Sequence, residues 1–147
     1  MSKSLLKMAL KPAVRVERNA SVMAAIGLMY ERRVGAAVVL QGGRAEGIFT
    51  ERDLMVKVVL KKLDPERTLI SAVMTSPVVP IEVDKSIADA LRVMIDLHVR
   101  HLPVIDKDGQ VLGMLSMRHL MREQIDRLEQ QVGALENYIG TEGIAGG

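Results

Sequence analysis

Two short segments of the chain, GIFTERD and GMLSMRH, carry polar residues in the same order. In the first, Thr50 stands three residues before Asp53, and Arg52 lies between them. A hydroxyl can donate to a phosphate or ribose oxygen, and an arginine can pair with a phosphate. An ionised carboxylate only accepts hydrogen bonds, so Asp53 suits the two hydroxyls of a ribose, a part that an acidic residue plays in dinucleotide folds. These residue types in this order favour a nucleotide as the ligand.

The same spacing also predicts a purely structural role. A hydroxyl residue followed three positions later by an acid forms a capping box at the start of a helix, here with Asp53 instead of the usual Glu. A helix start also attracts anions through its free N–H groups and its dipole. On this segment alone, a helix cap without a ligand and a nucleotide site both remain open.

The second segment keeps the hydroxyl and the arginine, as Ser116 and Arg118, but ends in His119 instead of an acid. A neutral imidazole makes one hydrogen bond at each nitrogen and cannot accept from two ribose hydroxyls as a carboxylate does. This difference predicts either that a second site is lost or that His119 binds another group, such as a phosphate when the imidazole is protonated.

Both segments belong to a longer unit that occurs twice. Ser21 matches Ser86 at an offset of 65 residues, and Gly47 matches Gly113 at an offset of 66. Each copy reads as an extended segment, a helix, two strands joined by a glycine-containing turn, and a second helix. This order predicts an α/β (α+β) fold with small sheets. We expect a first repeat at 8–62, a linker at 63–73, a second repeat at 74–125, a C-terminal helix extension at 126–140 and a flexible tail at 141–147.

The C-terminal helix carries apolar residues at alternating spacings of four and three, which is a heptad pattern. The pattern consists of Met121, Ile125, Leu128, Val132, Leu135 and Ile139. It is short, and Gly133 weakens the helix. Two interpretations are open: the helix self-associates along this face, or it packs on its own domain.

Together, VMTSPVVPIEVDKSIADAL, VRHLPVIDKDGQVLGMLS and GIFTERDL resemble the CBS domain, named after cystathionine beta-synthase, over about residues 8–125. The resemblance implies two repeats packed through their sheets as a pseudo-two-fold pair. It implies clefts that bind adenosine-containing ligands such as AMP, ATP, NAD(H) or S-adenosylmethionine. It further implies a regulatory protein that senses but does not catalyse, that forms a disc-like homodimer, and that acts on a protein target the sequence does not identify.

The resemblance also implies that each cleft takes residues from both repeats. The first cleft would consist of Thr50, Arg52 and Asp53 with Thr75, Pro80, Val99 and Arg100. The mirror cleft would consist of Ser116, Arg118 and His119 with Leu10, Arg15, Val34 and Gly35. The mirror cleft departs from the family pattern twice, because Leu10 replaces a hydroxyl residue and His119 replaces the acid. We therefore expect one nucleotide site and one altered site.

The composition excludes several other classes of protein. The absence of Cys excludes a disulfide scaffold and a Cys nucleophile. It is also consistent with a reducing compartment, so we expect a cytoplasmic protein. The N-terminal segment lacks the long apolar stretch of a signal peptide, so we expect none. A net charge of +2 and 2% aromatic residues do not favour nucleic acid as a partner. No apolar run is long enough to span a membrane.

Enzymatic activity and metal binding are also disfavoured. His98 and His101 lack a third ligand at metal-binding spacing, so we expect no metal. Nothing near Ser116 and His119 orients a base or forms an oxyanion hole, so we expect no enzyme and no required cofactor. A ligand-free module for dimerisation or assembly is the alternative to a nucleotide sensor.

Overall fold

Each half of the chain folds into a three-stranded sheet with helices against one face. The structure, a computed structural model, describes the backbone of residues 5–146 and the side chains of residues 5–140. A short helix, α1 (Leu5–Met8), comes first. The first unit contains β1 (Arg15–Glu17), α2 (Val22–Arg32), β2 (Ala36–Gln41), β3 (Arg44–Thr50), α3 (Glu51–Asp53) and a π-helical stretch (Leu54–Val59). A 3-10 turn (Ile70–Ala72) leads to β4 (Ile81–Glu82), α4 (Ile87–Leu97), β5 (His101–Ile105), β6 (Val111–Ser116) and α5 (Met117–Gly146).

Helices α2 and α4 each start at a serine whose side chain caps the helix. The Ser21 side chain accepts from the N–H of Ala24 at the start of α2. Ser86 and Asp89 form a reciprocal capping box at the start of α4. Both helices end in a residue with left-handed backbone geometry, which satisfies their last carbonyl groups.

The two sheets have the same topology, with orders β1-β2-β3 and β4-β5-β6. In each, the first strand runs parallel to the second and the second pairs antiparallel with the third. The hairpin turns contain Gly42, Gly43 and Gly109, whose φ angles are 58°, 82° and 81°. These positive values explain why the turns need glycine. The predicted fold class is confirmed.

The sheets pack against each other through the faces that the helices leave open. The cluster between them draws on both halves of the chain, and its buried members are Ala13, Ala36, Val38, Leu40, Val111 and Met114. The central strands β2 and β5 are each buried on both faces. One face packs against the helices and the other against the opposite sheet, so nearly all residues of these strands are apolar. The predicted pseudo-two-fold packing through the sheets is confirmed.

The opening segment of each repeat packs into the core of the other repeat. Leu5 and Met8 of α1 join the core of the second unit. Ile70 and Val73, which the sequence assigns to a linker, are buried in the core of the first unit. The segment 70–73 is therefore part of a packed core. The two neighbouring prolines indicate a linker and do not reveal this burial.

The opening segment of each repeat also forms a backbone bridge to the last strand of the other repeat's sheet. One bridge joins Leu10 to Met114, and the other joins Thr75 to Ile48. Both rely on a glycine in the neighbouring strand. A Cβ at Gly47 would lie 2.8 Å from the carbonyl oxygen of Thr75, and one at Gly113 would lie 2.8 Å from that of Leu10. Glycine at these matched positions lets the crossing backbone approach the sheet.

Helix α5 runs unbroken from Met117 to Gly146. Residues 141–146, expected as a flexible tail, have helical backbone geometry, and Gly147 lies outside the described residues. The first turn packs on the second unit, where Leu120 is fully buried. Within residues 5–146, no helix is both long and apolar enough to cross a membrane.

Candidate functional site

Asp53 forms the capping box that its spacing from Thr50 predicts. The N–H of Asp53 donates to the Thr50 hydroxyl over 3.2 Å, and the N–H of Thr50 donates to Asp53 Oδ2 over 3.0 Å. Strand β3 ends at Thr50 and α3 starts directly after it, so the box closes the strand-to-helix junction. The structural role of the motif is therefore present, and it occupies one of the two carboxylate oxygens.

The other oxygen of Asp53 faces the second repeat. The Thr75 hydroxyl donates to Asp53 Oδ1 over 2.9 Å, and Lys57 Nζ lies 3.1 Å from the same oxygen. Lys57 also donates to the hydroxyl of Thr75 and to the carbonyl oxygen of Met74. The structure thus brings together three of the predicted residues, Thr50, Asp53 and Thr75, across the boundary between the repeats.

Burial sets Asp53 apart from an ordinary capping acid. Asp53 is 5% exposed and is the only buried charged residue among residues 5–140. A buried carboxylate costs free energy unless hydrogen bonds and a cation compensate for lost water. Asp89 occupies the same capping position in α4 but is exposed, and there the hydrogen bonds from Ser86 lower the pKa of its carboxyl. A cap alone does not require burial, and the burial of Asp53 accompanies its contacts with Thr75 and Lys57.

Lys57 was missed in the sequence, although a signal was present. It follows Asp53 by four residues, the spacing at which side chains on a helix meet. That spacing indicates an ion pair on the helix surface. It does not show that the same ammonium group reaches Met74 and Thr75 of the second repeat, because that contact depends on the exchanged segment.

The remaining residues predicted for the first cleft lie outside this hydrogen-bonded group. Arg52, Pro80 and Arg100 are exposed. Val99 is half-buried and packs against the core of the second unit. The carbonyl oxygen of Arg100 accepts from the N–H of Met117, which fixes the start of β5 to the start of α5.

A second contact between the repeats lies beside the motif. A Cβ at Gly35 would lie 3.1 Å from Glu51 Oε1 and 3.6 Å from Cε1 of His101, so these groups meet at one point. Burial lowers the pKa of His101; the charge of Glu51 acts in the opposite direction, and the charge of Arg100 lowers the pKa further. His101 is thus held towards its neutral form next to the residue that follows Thr50.

The mirror arrangement around His119 is different. The Ser116 hydroxyl accepts from the N–H of His119 over 3.2 Å, which is half of a capping box, and Arg118 and His119 are exposed. The guanidinium of Arg15 donates to the carbonyl oxygen of Val111, at the opposite end of β6 from Ser116.

The other residues predicted for the mirror cleft have structural contacts. Val34 packs against the core of the first unit. Leu10 forms a backbone bridge to Met114 of β6. The matched Thr75 forms the equivalent bridge to Ile48 of β3 and also donates its hydroxyl to Asp53. Within the described residues, no group of three His, Cys, Asp or Glu side chains is placed to hold a metal ion.

Comparison with known proteins agrees with this duplicated architecture. The family model described as the CBS domain matches the chain twice, at residues 6–60 and 70–126. The chain belongs to the CBS-domain family. The CBS domain-containing protein CBSCBSPB3 of Arabidopsis thaliana is 33% identical over 113 residues, which are 77% of this chain and 20% of that protein. The chain therefore spans about a fifth of the length of that relative.

Solved structures of CBS proteins share the fold. A CBS-domain structure from Burkholderia ambifaria is 32% identical and has a TM-score of 0.77, with 84% of this chain and 95% of that chain covered. The CBS domain protein PAE2072 from Pyrobaculum aerophilum, complexed with AMP, has a TM-score of 0.77 at 24% identity, with 88% of this chain and 99% of that chain covered. The CBS pair is thus the architecture of this chain, and pairs of this fold are regulatory modules.

Proposed function

We propose that this CBS pair is a non-catalytic sensor that binds an adenosine nucleotide of the AMP, ATP or NADH type in the cleft at Asp53. The observation that carries the proposal is the buried carboxylate of Asp53, which is joined to Thr75 of the other repeat over 2.9 Å. The AMP complex of the Pyrobaculum aerophilum protein, which has the same fold, supports an adenosine ligand. The set of site residues is Thr50, Arg52, Asp53, Thr75, Pro80, Val99 and Arg100, with Lys57 added.

The contacts of Asp53 suggest how a nucleotide would act on the protein. A ribose diol needs the acceptor oxygens of Asp53, and Oδ1 already accepts from Thr75 and lies beside Lys57. A bound ribose would therefore replace or share contacts that hold the two repeats together. Because a ligand shifts an equilibrium only by binding one state better than another, this exchange links occupancy to the arrangement of the repeats.

The charges around the cleft favour a phosphorylated ligand. Lys57 is half-buried, whereas Arg52 and Arg100 are exposed and free to reach outward. An ammonium group released from Asp53 by the ribose could pair with a phosphate in its new position. S-adenosylmethionine carries a positive charge and would meet repulsion from the same three residues.

We propose that the mirror cleft is not an equivalent nucleotide site. His119 is exposed and lacks the cross-repeat hydroxyl that Thr75 provides to Asp53. The mirror position of Thr75 is Leu10, whose side chain cannot donate.

A second candidate function is a ligand-free assembly module, favoured by the apolar side chains on the helices. Tyr30, Val59, Leu60 and Ile95 are each more than 60% exposed. Large exposed apolar side chains mark an interaction surface where they form a contiguous patch. They support a homodimer built through the helices of both units, and a dimer is compatible with either function.

Titration calorimetry tests the proposal. Nucleotide-free protein would be titrated with AMP, ADP, ATP, NADH and S-adenosylmethionine, after checking by absorbance that no nucleotide co-purifies. We expect one adenine nucleotide per chain, lost in Asp53→Asn and Asp53→Ala but retained in Asp89→Ala and His119→Ala.

Asp89→Ala is the matched control, because it removes a capping acid of the same geometry from the other repeat. Two equivalent sites per chain would refute the asymmetry. No binding of any compound would refute the sensor and favour the assembly module, and product analysis by chromatography would reveal any turnover of the nucleotide.

A further inference from the structure

Helix α5 carries an apolar strip that the rest of the described chain does not cover. The first turn is anchored by Leu120, which is fully buried. Beyond it, each side chain of the strip leaves at least half of its surface in solvent. The strip consists of Met121, Ile125, Leu128, Val132, Leu135 and Ile139. Packing of this face on its own domain therefore stops at the first turn, and the strip needs another occupant.

The order of residue types along the strip indicates what that occupant is. Read as heptads, the a positions are Ile125, Val132 and Ile139, and the d positions are Met121, Leu128 and Leu135. β-branched residues at a with Leu at d favour a parallel coiled coil of two strands. A second copy of the same helix supplies the matching strip by symmetry, because an isologous contact pairs each patch with itself.

The residues beside the strip are compatible with a parallel, in-register pair. In that arrangement Gln124 and Gln131 at g positions face Glu129 and Glu136 at e positions of the other chain. Each contact joins an amide donor to a carboxylate, and no like charges meet. An antiparallel pair on the same strip would join Arg122 to Glu136 but would set the two Glu129 side chains against each other.

The strip is large enough to matter for association. From position 121 to position 139 the helix rises roughly 27 Å. Its six half-exposed side chains present on the order of 500 Å² of apolar surface, within the range at which a patch on a soluble protein marks an interaction site. Flanking e and g side chains bring the contact towards the ~800 Å² that each partner buries in a standard interface.

A single helix extending into solvent also gains from a partner. Most of the stability of protein helices comes from burying an amphipathic face, and Gly133 and Gly140 lower the intrinsic stability of this one. Gly133 occupies a b position, away from the strip, and nothing lies within 4 Å of its missing Cβ. The glycine therefore weakens the isolated helix without interrupting the apolar face.

From these observations we propose that residues 121–139 form a parallel, in-register coiled coil with the same segment of a second copy. Because α5 follows β6 directly, this arrangement places the two second repeats at the same end of the dimer. The orientation of the two CBS pairs is then head to head. This inference concerns assembly and stands whether or not the Asp53 cleft binds a nucleotide.

Disulfide trapping tests the inference, because the chain contains no cysteine that would interfere. Leu135→Cys places a thiol at a d position, where a parallel pair brings the two Cα atoms within disulfide range. Gln130→Cys places a thiol at an f position on the outer face of the same helix and is the matched control. We expect the Leu135→Cys dimer to form at least tenfold faster than the Gln130→Cys dimer under the same mild oxidation.

Further variants test whether the apolar strip drives the cross-link and whether the two helices run parallel. Leu128→Glu in the Leu135→Cys background should remove the rate advantage, whereas Gln130→Glu in that background should retain it, with helix content followed by circular dichroism. Equal rates for Leu135→Cys and Gln130→Cys would overturn the coiled coil. A mixture of Ile125→Cys and Leu135→Cys chains that forms mainly the mixed dimer would overturn the parallel orientation.

Discussion

Replacing Asp53 tests how much a contact between the repeats contributes beyond helix capping. The pair of variants is Asp53→Ala and Asp89→Ala, since both acids close a capping box with the hydroxyl residue three positions earlier. Only Asp53 also binds Thr75 and Lys57. The two substitutions therefore remove the same capping interaction, and Asp53→Ala also removes the contacts with Lys57 in the same repeat and Thr75 in the other.

The expected loss of stability in Asp53→Ala follows from the burial of the Asp53 carboxylate. Removing one partner of a buried ion pair costs about 3–5 kcal/mol. The Lys57 side chain is 39% exposed and can regain water, so we expect the lower end of that range, about 3 kcal/mol, for Asp53→Ala. For a chain of this size such a loss lowers Tm by ~9 °C. Asp89→Ala should cost clearly less, because its carboxylate is exposed.

Chemical denaturation and a double-mutant cycle measure the effect. Urea unfolding of the wild type, Asp53→Ala, Thr75→Val and the double variant gives the coupling energy between the two side chains. We expect a coupling of about 1–2 kcal/mol for a hydrogen bond to a buried carboxylate. Equal losses for Asp53→Ala and Asp89→Ala, together with a coupling near zero, would refute the claim that Asp53 joins the repeats.

Three further substitutions probe the close approach of the crossing backbone at Gly47 and the altered motif at His119. Gly47→Ala should cost about 1–3 kcal/mol, because the added Cβ would lie 2.7 Å from Sδ of Met74 and 2.8 Å from the Thr75 carbonyl oxygen. Gly27→Ala, in an open position of α2, should instead raise the free energy of unfolding by about 0.5–1 kcal/mol. Urea unfolding compares the two variants, and an unchanged stability of Gly47→Ala would contradict the close approach of the backbone. His119→Asp should raise stability by about 0.5–1 kcal/mol, because it completes the half capping box at Ser116. A Tm that does not rise in a thermal melt would show that an acid at position 119 does not complete the capping box.

Local patterns predicted much of the fold. The spacing of Thr50 and Asp53 predicted a capping box, which is present, and glycines marked both hairpin turns, because capping and turn geometry depend on neighbours along the chain. The repeat predicted two equal sheets. The resemblance to CBS domains assigned Asp53 and Thr75 to one cleft, and in the structure a hydrogen bond of 2.9 Å joins them. The spacing of Thr50 and Asp53 alone leaves a helix cap and a ligand site both open.

The remaining features depend on contacts between distant segments. The linker assignment missed Ile70 and Val73, since apolar residues between two prolines do not reveal which core they join. The reach of Lys57 to Met74 needs the exchanged segment to be in place. Arg15 matched the cleft in sequence, but its guanidinium bonds to the carbonyl of Val111. Long side chains reach several partners, so a residue's position does not fix where its charge lies.

The reciprocal packing of the opening segments determines what counts as one cooperative unit. A fragment ending before Ile70 would lack side chains that complete its own core and would still expose Leu5 and Met8, which belong to its absent neighbour. The two halves should therefore unfold in a single transition. Separately expressed halves should become stable only after mixing. The repeat that duplication has left visible in the sequence is thus not the unit that folds, and moving one copy alone into another protein by recombination would transfer an incomplete core.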